Sequence, residues 1–596
     1  MMIKKLFTLL LITHLSLWAQ AATNIPAGNV GAATWTLAGS PYLIAGNITV
    51  TSTLNIQAGV EVVFLAHAQL KVNGILRAIG SQSQPIVFKR DDTTGWYNDA
   101  TPNGGWRGIF FNEFNGVDSS LLSYCIVQDV KHGINGVQND NAALLIFNRG
   151  IKISHCEFHH NQSKVGQSVG STIVGSTKPG QLFEVEFCNI HHNINRVAAF
   201  KFDNYLGGST RVHDNRFHHN TEGGTIFTLF TEMLFENNEV DSNSNSQIGL
   251  GTIRVDGGHN IVRGNKIHHN VNQRLAAMAC TFGKTTIEKN LICNNQMLDA
   301  NCGFTDGGGG IHISHNNNSP WDSTEYIVRD NIVANNFTNF FGGGIYIHSC
   351  KAWVFNNHFI RNKATSDGAA LQVFGVTNQV YIQNNLFFGN ESTNYGIKKD
   401  IRIAAGTFYT FDYNWIEYPF YEICEASNIT LNGDTSHNVI NANPQLVNPT
   451  TISGHTDNAL LKDFHLMANS TCINAGHLQN ITIAPTDYYG LVRISGPKID
   501  IGAHEFFIQL SEGVNDIDPF QVMLYPNPVS TQCNISFAKV GEYTITLYDL
   551  TGKSLSTQHT NAMNAYIDMK AIPAGHYLLL IQNEAHEKIV RKLSKY

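Results

Sequence analysis

Charged residues are scarce in this sequence, and their scarcity limits what the protein binds. Asp, Glu, Lys and Arg make up only 14% of the 596 residues, where about a quarter is usual. The formal net charge is −7, and no basic cluster occurs that would attract a nucleic-acid backbone. We therefore predict that nucleic acid is not a partner.

Long apolar runs and helical stripes are also missing. After residue 21 no run of apolar residues reaches the length of roughly 18 that a transmembrane helix needs, so we predict none. No long segment places apolar residues at helical spacing. Short β-branched runs alternate with polar residues instead, as in Ile253–Val255, Ile311–Ile313 and Ile345–Ile347. The pattern indicates an all-β fold.

The sequence is rich in one hexapeptide. Residues 215–220 read Asn-Arg-Phe-His-His-Asn, and the template is Asn or Cys, any residue, a large apolar residue, two free positions and Asn. The usual spacing of 23 to 32 residues, with one step of 41, is a solenoid period. The final asparagines of the copies are Asn161, Asn193, Asn220, Asn243, Asn270, Asn295, Asn336, Asn362 and Asn390.

Strands that return at this period build a parallel β-helix, in which equivalent residues of successive coils stack about 4.8 Å apart. The first and third template positions share parity, so both should point into the bore. Stacked amides hydrogen-bond along such a column, so we interpret both Asn columns as structural. The first of them is predicted to contain Cys125, Cys156, Cys188, Asn215, Asn238, Asn265, Asn290, Asn331, Asn357, Asn385 and Asn414.

These repeats resemble the right-handed parallel β-helix superfamily of pectate lyases and many bacterial surface proteins, over roughly residues 40 to 505. The glycine runs Gly307–Gly310 and Gly342–Gly344, each followed by Ile, are similar to repeats of polymorphic outer-membrane adhesins. Neither run precedes Lys-Ser/Thr and a helix, so we interpret them as corners rather than phosphate loops. The resemblance implies an architecture, not an activity.

Composition and pattern divide the chain into six parts. Lys4 and Lys5 precede an apolar run and Ala-Gln-Ala, which is typical of a signal peptide. Trp106 and nearby Phe residues are predicted to cover the open end of the bore. We predict a signal peptide at 1–21, an N-terminal cap with the first coils at 22–119, the β-helix at 120–415, terminal coils at 416–510, a linker at 511–519 and a small β-sandwich at 520–596.

The last part carries the most specific resemblance. Tyr525–Pro528, Tyr543–Lys553, Ile572–Tyr577 and Lys588–Lys592 resemble, in order and spacing, the type A C-terminal sorting domain of the type IX secretion system. This resemblance implies a Bacteroidota-type cell and that secretion machinery as a partner. The protein is then expected to be secreted or attached to the outer cell surface after export through the periplasm.

The segment before the linker resembles another family. Asp463–Leu466, Cys472–Gly476, Asp487–Arg493 and Ile499–Glu505 are similar to the choice-of-anchor domain, type Q, of exported bacterial proteins. In this segment Asp487 and Arg493 are expected to form a structural ion pair in the closing turn.

Two sets of polar residues are candidates for function. If Ile253 and Val255 point inward, their neighbours face outward, and the same parity in other coils gives one polar, aromatic face that suits a carbohydrate. Lyases of this architecture use Lys, Arg or His to abstract a proton, often with calcium held by acidic residues. The predicted glycan groove contains Lys201, Asp203, Arg254, Asp256, His312, Tyr346 and His348.

A second set forms one outer corner. Neutral imidazoles bind divalent metals, but a column spacing near 4.8 Å exceeds the roughly 3.3 Å between two ligands of one tetrahedral ion. A solvated polar corner is therefore favoured over a metal site, and we predict no cofactor, with calcium left open. The corner contains His159, His191, His218, Asp241 and His268.

Two functions remain open at this point. The first is a non-catalytic, monomeric surface binder or adhesin for extracellular glycans, since no recognised catalytic motif occurs. The second is a polysaccharide lyase or glycoside hydrolase acting on an acidic, plant or algal polysaccharide. For the hydrolase, Asp203 and Asp256 would lie two coils, or about 9.6 Å, apart, near the upper limit for inverting enzymes.

Overall fold

A computed structural model describes most of the chain. The described residues are 22–98, 100–114, 120–132, 142–163, 170–204, 207–246, 251–300, 307–315, 324–375, 379–393, 401–403, 408–418, 437–479, 481–506, 522–537, 539–549, 553–584 and 587–595. The predicted signal peptide and the predicted linker lie outside them. The described chain divides into a unit that ends at Phe507 and a second unit from Ile508 onward.

The first unit is a parallel β-helix, as the repeat predicts. Each coil contributes strands to three parallel sheets, which we name A, B and C in the order the chain visits them. The strands of sheet A are Thr23–Ile25, Tyr42–Ile44, Glu61–Phe64, Ile86–Arg90, Cys125–Gln128, Glu157–His159, Asn189–His191, Arg216–His218, Glu239–Asp241, Lys266–His268, Leu291–Cys293, Ile332–Ala334, His358–Ile360, Leu386–Phe388, Trp415–Ile416 and Val439–Ile440.

Sheet B follows sheet A in each coil and carries the predicted groove. Its main strands are Gly28–Val30, Ile48–Val50, Leu70–Val72, Ile109–Phe111, Ala142–Ile146, Ser171–Gly175, Ile194–Asp203, the first part of Thr221–Glu236, the first part of Ile253–Arg263, Met278–Cys280, Ile311–Ser314, Ile345–His348, Leu371–Phe374 and Ile401–Ile403. Two-residue strands at the A–B corner are Lys131–His132, Gln162–Ser163, Ser244–Asn245, Val271–Asn272, Gln296–Met297, Phe337–Thr338, Lys363–Ala364 and Glu391–Ser392.

Sheet C closes each coil. Thr221–Glu236 and Ile253–Arg263 run through from sheet B into sheet C without a break. The other strands of sheet C are Ala33–Trp35, Thr53–Ile56, Ile75–Ile79, Leu121–Ser123, Ile151–Ser154, Leu182–Glu186, Ser209–His213, Lys284–Glu288, Glu325–Arg329, Lys351–Phe355, Gln379–Gln383 and Phe408–Asp412.

The template asparagines lie at the two corners that flank sheet A. In the coil around Arg216–His218, a left-handed residue (Asp214, φ 55°) precedes Asn215, and another (His219, φ 54°) precedes Asn220. One left-handed residue turns the chain sharply into the next strand, and the following Asn points inward. The same pairing of a left-handed residue and an inward Asn repeats in later coils.

Both Asn columns form continuous hydrogen-bond ladders. The Asn265 Nδ2 donates to Asn290 Oδ1 at 2.9 Å, and Asn290 Nδ2 donates to Asn331 Oδ1 at 3.0 Å. In the second column, Asn270 Nδ2 donates to Asn295 Oδ1 at 2.9 Å. Each of these amides is fully buried, and each also donates to backbone carbonyls. The prediction that the columns are structural and point inward is confirmed.

Cysteines continue the first ladder toward the N-terminus. Cys188 N–H donates to Asn215 Oδ1 at 2.8 Å, and the Cys125 and Cys156 N–H groups each face the next sulfur at 3.4 Å. All three thiols are buried and free, as are the other cysteines in the described part of the chain. The Cys side chains therefore fill the bore as small apolar groups.

The first coils differ from the prediction in one respect. Trp106 does not cover the end of the bore: it is fully buried, stacks on Phe64 with ring centroids 3.9 Å apart, and lies between coils that pair on both sides. The coils already begin at Thr23–Ile25, where Trp35 and Tyr42 stack at 4.8 Å. A short 3-10 helix, Leu37–Gly39, follows Trp35.

The prediction that residues 416–510 continue as terminal coils is wrong after Ile440. Beyond Val439–Ile440 the chain leaves the parallel sheets and forms an antiparallel pair, Leu446–Asn448 with Asp463–Leu466, and a 3-10 helix at Ala459–Leu461. Residues 446–479 and 481–506, which we call the strap, lie along the outer face of sheet A. Its Phe464, Leu466 and Ile501 pack against apolar side chains that sheet A points outward.

The apolar outward face explains why the strap is there. Sheet A strands in the last coils are apolar on both faces except at His358, unlike the alternating strands of earlier coils. Leaving this face in water would be unfavourable, by roughly 25 cal/mol for each Å² of apolar surface. The strap residues buried against sheet A belong to a cluster with Cys293, Ile332, Ile360, Leu386 and Trp415.

The second unit is a small two-sheet β-sandwich, as predicted. One sheet contains Met523–Tyr525, Gln532–Ser536 and Asn564–Asp568, and the other contains Ser554–Thr560, Tyr543–Asp549, Gly575–Asn583 and Lys588–Lys595, all antiparallel. The two sheets enclose their own core, to which Ile535, Ile545 and Leu579 belong.

Candidate functional site

The outward face of sheet B brings the seven predicted groove residues together in two neighbouring columns. In one column, strand pairing aligns Lys201 with Phe227 and Arg254 in successive coils. Two coils after Arg254 the same column continues with His312, which pairs with Tyr346 in the next coil. The adjacent column aligns Asp203 with Leu229 and Asp256, and Ser314 with His348. Their sequence neighbours, Phe200, Phe202, Ile253, Val255, Ile311 and Ile313, point into the core.

The prediction that this whole face is exposed to solvent is wrong. Lys201, Asp256, His312 and Tyr346 are 3% exposed or less, while Asp203, Arg254 and His348 keep partial exposure. Side-chain parity determines which face a residue occupies, but the segments between strands decide whether that face meets water.

The glycine run before the strand at Ile311 provides part of this cover. His312 Nδ1 lies 3.1 Å from the Gly307 carbonyl, and a Cβ added to Gly307 would lie 2.8 Å from the Tyr346 ring. Gly309 and Gly310 pass so close to the Gly343 and Gly344 carbonyls that no side chain would fit. The interpretation of the glycine runs as corners is therefore confirmed, and they also lie over the aromatic part of the face.

The charged end of the face consists of ion pairs around one ring. Lys201 pairs with Asp203, and Arg254 Nε lies 2.7 Å from Asp256 Oδ2. The other oxygen of the Asp256 carboxylate accepts a hydrogen bond from the Thr281 hydroxyl. The Arg254 guanidinium lies 5.5 Å from the Phe227 ring centroid. Burial raises the pKa of the Asp203 and Asp256 carboxyls, against the lowering effect of the neighbouring cations.

The aromatic end of the face is a stack of near-parallel rings. Centroid distances are 5.4 Å between His312 and Tyr346, 6.5 Å between Tyr346 and His348, and 5.7 Å between His348 and Phe374. Burial lowers the pKa of His312 to about 3, so the imidazole is neutral at physiological pH. Of this stack, His348 and Phe374 are partly exposed.

Several residues of this face were missed in the sequence. Phe227, Gln372 and Arg402 continue the Lys201 column, and Phe374 continues the His348 column. The solenoid period could have identified them, because each lies one or two coils from a predicted residue. The period was a weak indication, because coil lengths vary and because Phe227 and Phe374, being apolar, do not stand out as residues of a polar face.

An accessible aromatic pocket was also missed. Thr93, Gly95, Trp96, Tyr97, Asn98, Asp129 and His160 line it. Tyr97 is 85% exposed, which is unusual for so large a ring. The Lys131 ammonium holds the pocket's turn from beneath, because it donates to the carbonyls of Gly95, Asn98 and Asn103 at 2.7 to 3.0 Å.

The predicted histidine corner exists on the outward face of sheet A. His159, His191 and His218 stack in consecutive coils with centroids 5.3 and 4.8 Å apart. Asp241 takes the next place and His268 the one after it. The Asp241 carboxylate, however, is bound by Arg216 through two contacts of 2.9 and 3.1 Å, and the guanidinium lowers the pKa of Asp241 against the raising effect of burial.

Two groups of side chains bring three metal-ligand atoms within 4.8 Å of one another, Glu184–Glu186–His213 and Glu239–Asp241–His268. Cations already compensate both groups. Lys152 contacts Glu184 and Glu186 at 2.9 and 2.8 Å, and Arg216 contacts Asp241. Carboxylates paired in this way need no metal ion to balance their charge.

The predicted ion pair between Asp487 and Arg493 is replaced by another. Arg493 Nε lies 3.3 Å from Asp330 Oδ1 of the β-helix, and both side chains are about 1% exposed. Asp487 instead accepts the Leu491 and Glu505 N–H groups at 2.8 Å each. The arginine therefore joins the strap to the solenoid, which sequence spacing could not indicate because its partner lies far away in the chain.

Two family models match parts of the chain. Residues 141–321 match the right-handed β-helix region, and residues 523–595 match the secretion system C-terminal sorting domain. No curated protein is significantly similar in sequence. The resemblance of the strap to the choice-of-anchor domain, type Q, stays a prediction.

Phage tailspikes are among the solved structures with some similarity. The tailspike protein of Acinetobacter phage vB_ApiP_P1 is 10% identical, with 92% of this chain and 72% of that chain covered and a TM-score of 0.22. Tailspike protein 2 of Escherichia coli O157:H7 bacteriophage CAB120 is 9% identical, with 96% and 64% covered and a TM-score of 0.20.

The fold, the matched β-helix region and the matched tail agree with one another. No helix in the described ranges is long and apolar enough to cross a membrane. The chain is therefore a right-handed parallel β-helix protein with a C-terminal sorting domain of the type IX secretion system, which exports it to the cell surface or the medium.

Proposed function

We propose that this exported β-helix binds an extracellular glycan without cleaving it, at the partly exposed charged end of sheet B. The observation that carries the proposal is the cluster of Arg254, Asp203 and Phe227 in two neighbouring columns. Sugars stack on rings and hydrogen-bond to charged groups, and this cluster offers both within adjacent coils. An acidic polysaccharide fits best, since arginine binds carboxylates in a bidentate manner.

Binding is favoured over catalysis because the groups that could perform chemistry are shielded. Of the candidate bases, His312 is 1% exposed and stacks on Tyr346, Lys201 is 3% exposed, and Arg254 is paired with Asp256. Asp203 and Asp256 each contact a cation, so neither carboxylate faces the other across an open cleft. The lyase or hydrolase remains the alternative, and the assay below distinguishes it.

The test is a glycan array with the purified full chain. Every polysaccharide retained is then assayed for unsaturated products, which a lyase makes, and for new saturated reducing ends, which a hydrolase makes. Arg254→Ala should reduce retention about tenfold, as expected for the loss of one charged contact of roughly 1.5 kcal/mol. The variant also takes the cation from the buried Asp256 carboxylate, so retention is measured at a temperature where its melting curve shows it folded. Arg196→Ala is the matched control, because this exposed arginine lies outside both columns. Unsaturated products that disappear in Arg254→Ala would establish the lyase instead.

A second variant tests whether glycan binds at sheet B or at the pocket near Tyr97. Tyr97→Ala removes the exposed ring of the pocket near the N-terminus and leaves sheet B intact. We expect it to retain glycan as the unchanged protein does. Loss of binding in Tyr97→Ala but not in Arg254→Ala would move the site to that pocket, and failure of the full chain to retain any polysaccharide would contradict the function itself.

Tyr346 is not a useful probe of binding. Its ring is completely buried, so Tyr346→Ala would open a cavity and destabilise the solenoid by about 3 kcal/mol or more rather than remove a glycan contact.

A further inference from the structure

The outer corner that follows sheet A carries pairs of adjacent histidines whose ring nitrogens face each other. The Nδ1 atoms are 2.7 Å apart in His159–His160 and in His191–His192. They are 2.8 Å apart in His218–His219 and 3.0 Å apart in His268–His269. The geometry is the same in each pair, with the two rings nearly perpendicular.

We propose that these histidine pairs are binding sites for a divalent transition metal with tetragonal geometry, foremost Cu²⁺, each pair supplying two Nδ1 ligands to one ion. Two cis ligands at bonds of about 2.0 Å and 90° lie about 2.8 Å apart, which the pairs match. Tetrahedral Zn²⁺ would place them about 3.3 Å apart. The 4.8 Å column spacing that argues against a metal concerns histidines of successive coils and does not apply within a pair.

The other nitrogen of the first histidine is held by an acceptor in the preceding coil. The Nε2–H of His191 donates to Glu157 Oε1 at 2.8 Å, and that of His268 donates to Glu239 Oε1 at 3.1 Å. In His218 the acceptor is Asn189 Oδ1 at 3.0 Å. An acceptor at Nε2 fixes the tautomer with an unprotonated Nδ1, which is the usual arrangement around metal-bound imidazoles. Without metal, that Nδ1 accepts a hydrogen bond from the Nδ1–H of the second histidine, and a bound metal ion would displace this proton.

The second histidine of each pair occupies a left-handed backbone position that does not require a histidine side chain. His160, His192, His219 and His269 are left-handed, with φ between 51° and 54°. Asn294 and Asn335 hold the same corner position in later coils, at φ 56° and 55°. Asn adopts this conformation at least as readily as His, so the turn alone does not require an imidazole there.

Access and charge also suit a cation. His160, His192 and His219 are exposed, and the first histidines of these pairs are partly exposed. Glu157 and Glu239 lie beside the column. Arg216 pairs with Asp241 and compensates that carboxylate, and its charge acts against a cation at His218. The site thus presents neutral nitrogen ligands backed by carboxylates, the donor set that copper and nickel prefer.

The test is copper binding by the full chain. Equilibrium dialysis against Cu²⁺ should load at least two ions per chain, one at His268–His269 and at least one in the run of three consecutive pairs. Electron paramagnetic resonance of the loaded protein should show a tetragonal Cu²⁺ signal with nitrogen hyperfine structure. The affinity for Zn²⁺ should be about tenfold lower or more.

Asparagine at the left-handed positions removes one ligand of each pair while keeping the turn. The variant H160N/H192N/H219N/H269N should lose the nitrogen signal and bind Cu²⁺ about tenfold or more weakly, with an unchanged melting curve in chelator. His269→Asn alone should remove one ion only. His155→Asn is the control, because His155 is also left-handed but stacks between Tyr124 and Phe187 outside the pairs.

Two results would overturn the proposal. One is an unchanged chain that binds no Cu²⁺ at micromolar concentration. The other is a fourfold variant that keeps the copper count and spectrum, since the ions would then reside elsewhere, for example at Glu184, Glu186 and His213. Neither result bears on glycan binding, whose residues lie on sheet B.

Discussion

At the scale of single residues, the buried amides of the bore determine whether coils stack in register. Each Asn Oδ1 in the first column accepts from both the Nδ2 and the backbone N–H of the preceding Asn, as Asn290 does from Asn265 at 2.9 and 3.0 Å. An apolar residue of similar size at position 290 would leave the Asn265 backbone N–H without its acceptor and would break the amide-to-amide bonds on both sides. The amides are thus the part of the core that least tolerates substitution.

Asn290→Leu should therefore destabilise the solenoid by roughly 1 to 3 kcal/mol, the cost of buried donors left unsatisfied. Denaturant unfolding compared with the unchanged protein measures it. Asn29→Leu is the control, since Asn29 is an exposed strand residue of an early coil. An unchanged unfolding curve for Asn290→Leu would show that the ladder contributes no stability.

His312 makes stability depend on pH. Its pKa falls from 6.5 to about 3 on folding because burial disfavours the charged ring. The unfolded chain therefore binds the proton more readily between those values, so this contribution is complete above pH 6.5 and is lost as pH falls toward 3. Between pH 6.5 and 5 the loss is about 2 kcal/mol.

His312→Gln should remove this part of the acid sensitivity. Unfolding free energies of both proteins at pH 7 and pH 5 measure the difference, and groups common to both, such as Asp330 and Glu505, cancel. We expect the drop from pH 7 to 5 to be about 2 kcal/mol smaller in the variant. Equal drops in unfolding free energy for the two proteins would mean that burial under Tyr346 does not oppose protonation of the His312 ring.

At the scale of elements, the strap and the covering loops account for what the sequence did not predict. The period of the asparagines was sufficient to predict the parallel sheets, the inward columns and the shared face of the seven groove residues. Parity gives the face of Tyr346 but not the presence of Gly307 above it, because loops follow no period. Likewise, nothing in the sequence around Asp330 indicates that its partner is Arg493, far away in the chain.

The contact between Arg493 and Asp330 is expected to hold the strap on the solenoid. Arg493→Met should cost about 3 to 5 kcal/mol, because it removes the nearest cation from the buried Asp330 carboxylate. The double variant D330N/R493M should recover part of that loss, since the charge is then gone as well. Denaturant unfolding of the two single variants and the double variant measures the coupling, and additive effects would contradict it.

At the scale of the whole molecule, the solenoid and the sandwich are separate folding units with different roles. The solenoid unit, which ends at Phe507, has its own continuous core, and the sorting sandwich has another. Removing the sandwich should therefore leave the solenoid folded. We assign delivery to the sandwich and propose ligand binding by the solenoid, so truncation should separate the two.

Deleting residues 520–596 tests this division most directly. The truncated chain, expressed in its native cell beside the complete chain, should accumulate in the periplasm and be missing from the cell surface and the medium. The periplasmic product should show the same protease resistance as the solenoid of the complete chain. Surface display or release of the truncated chain at the normal level would contradict the account.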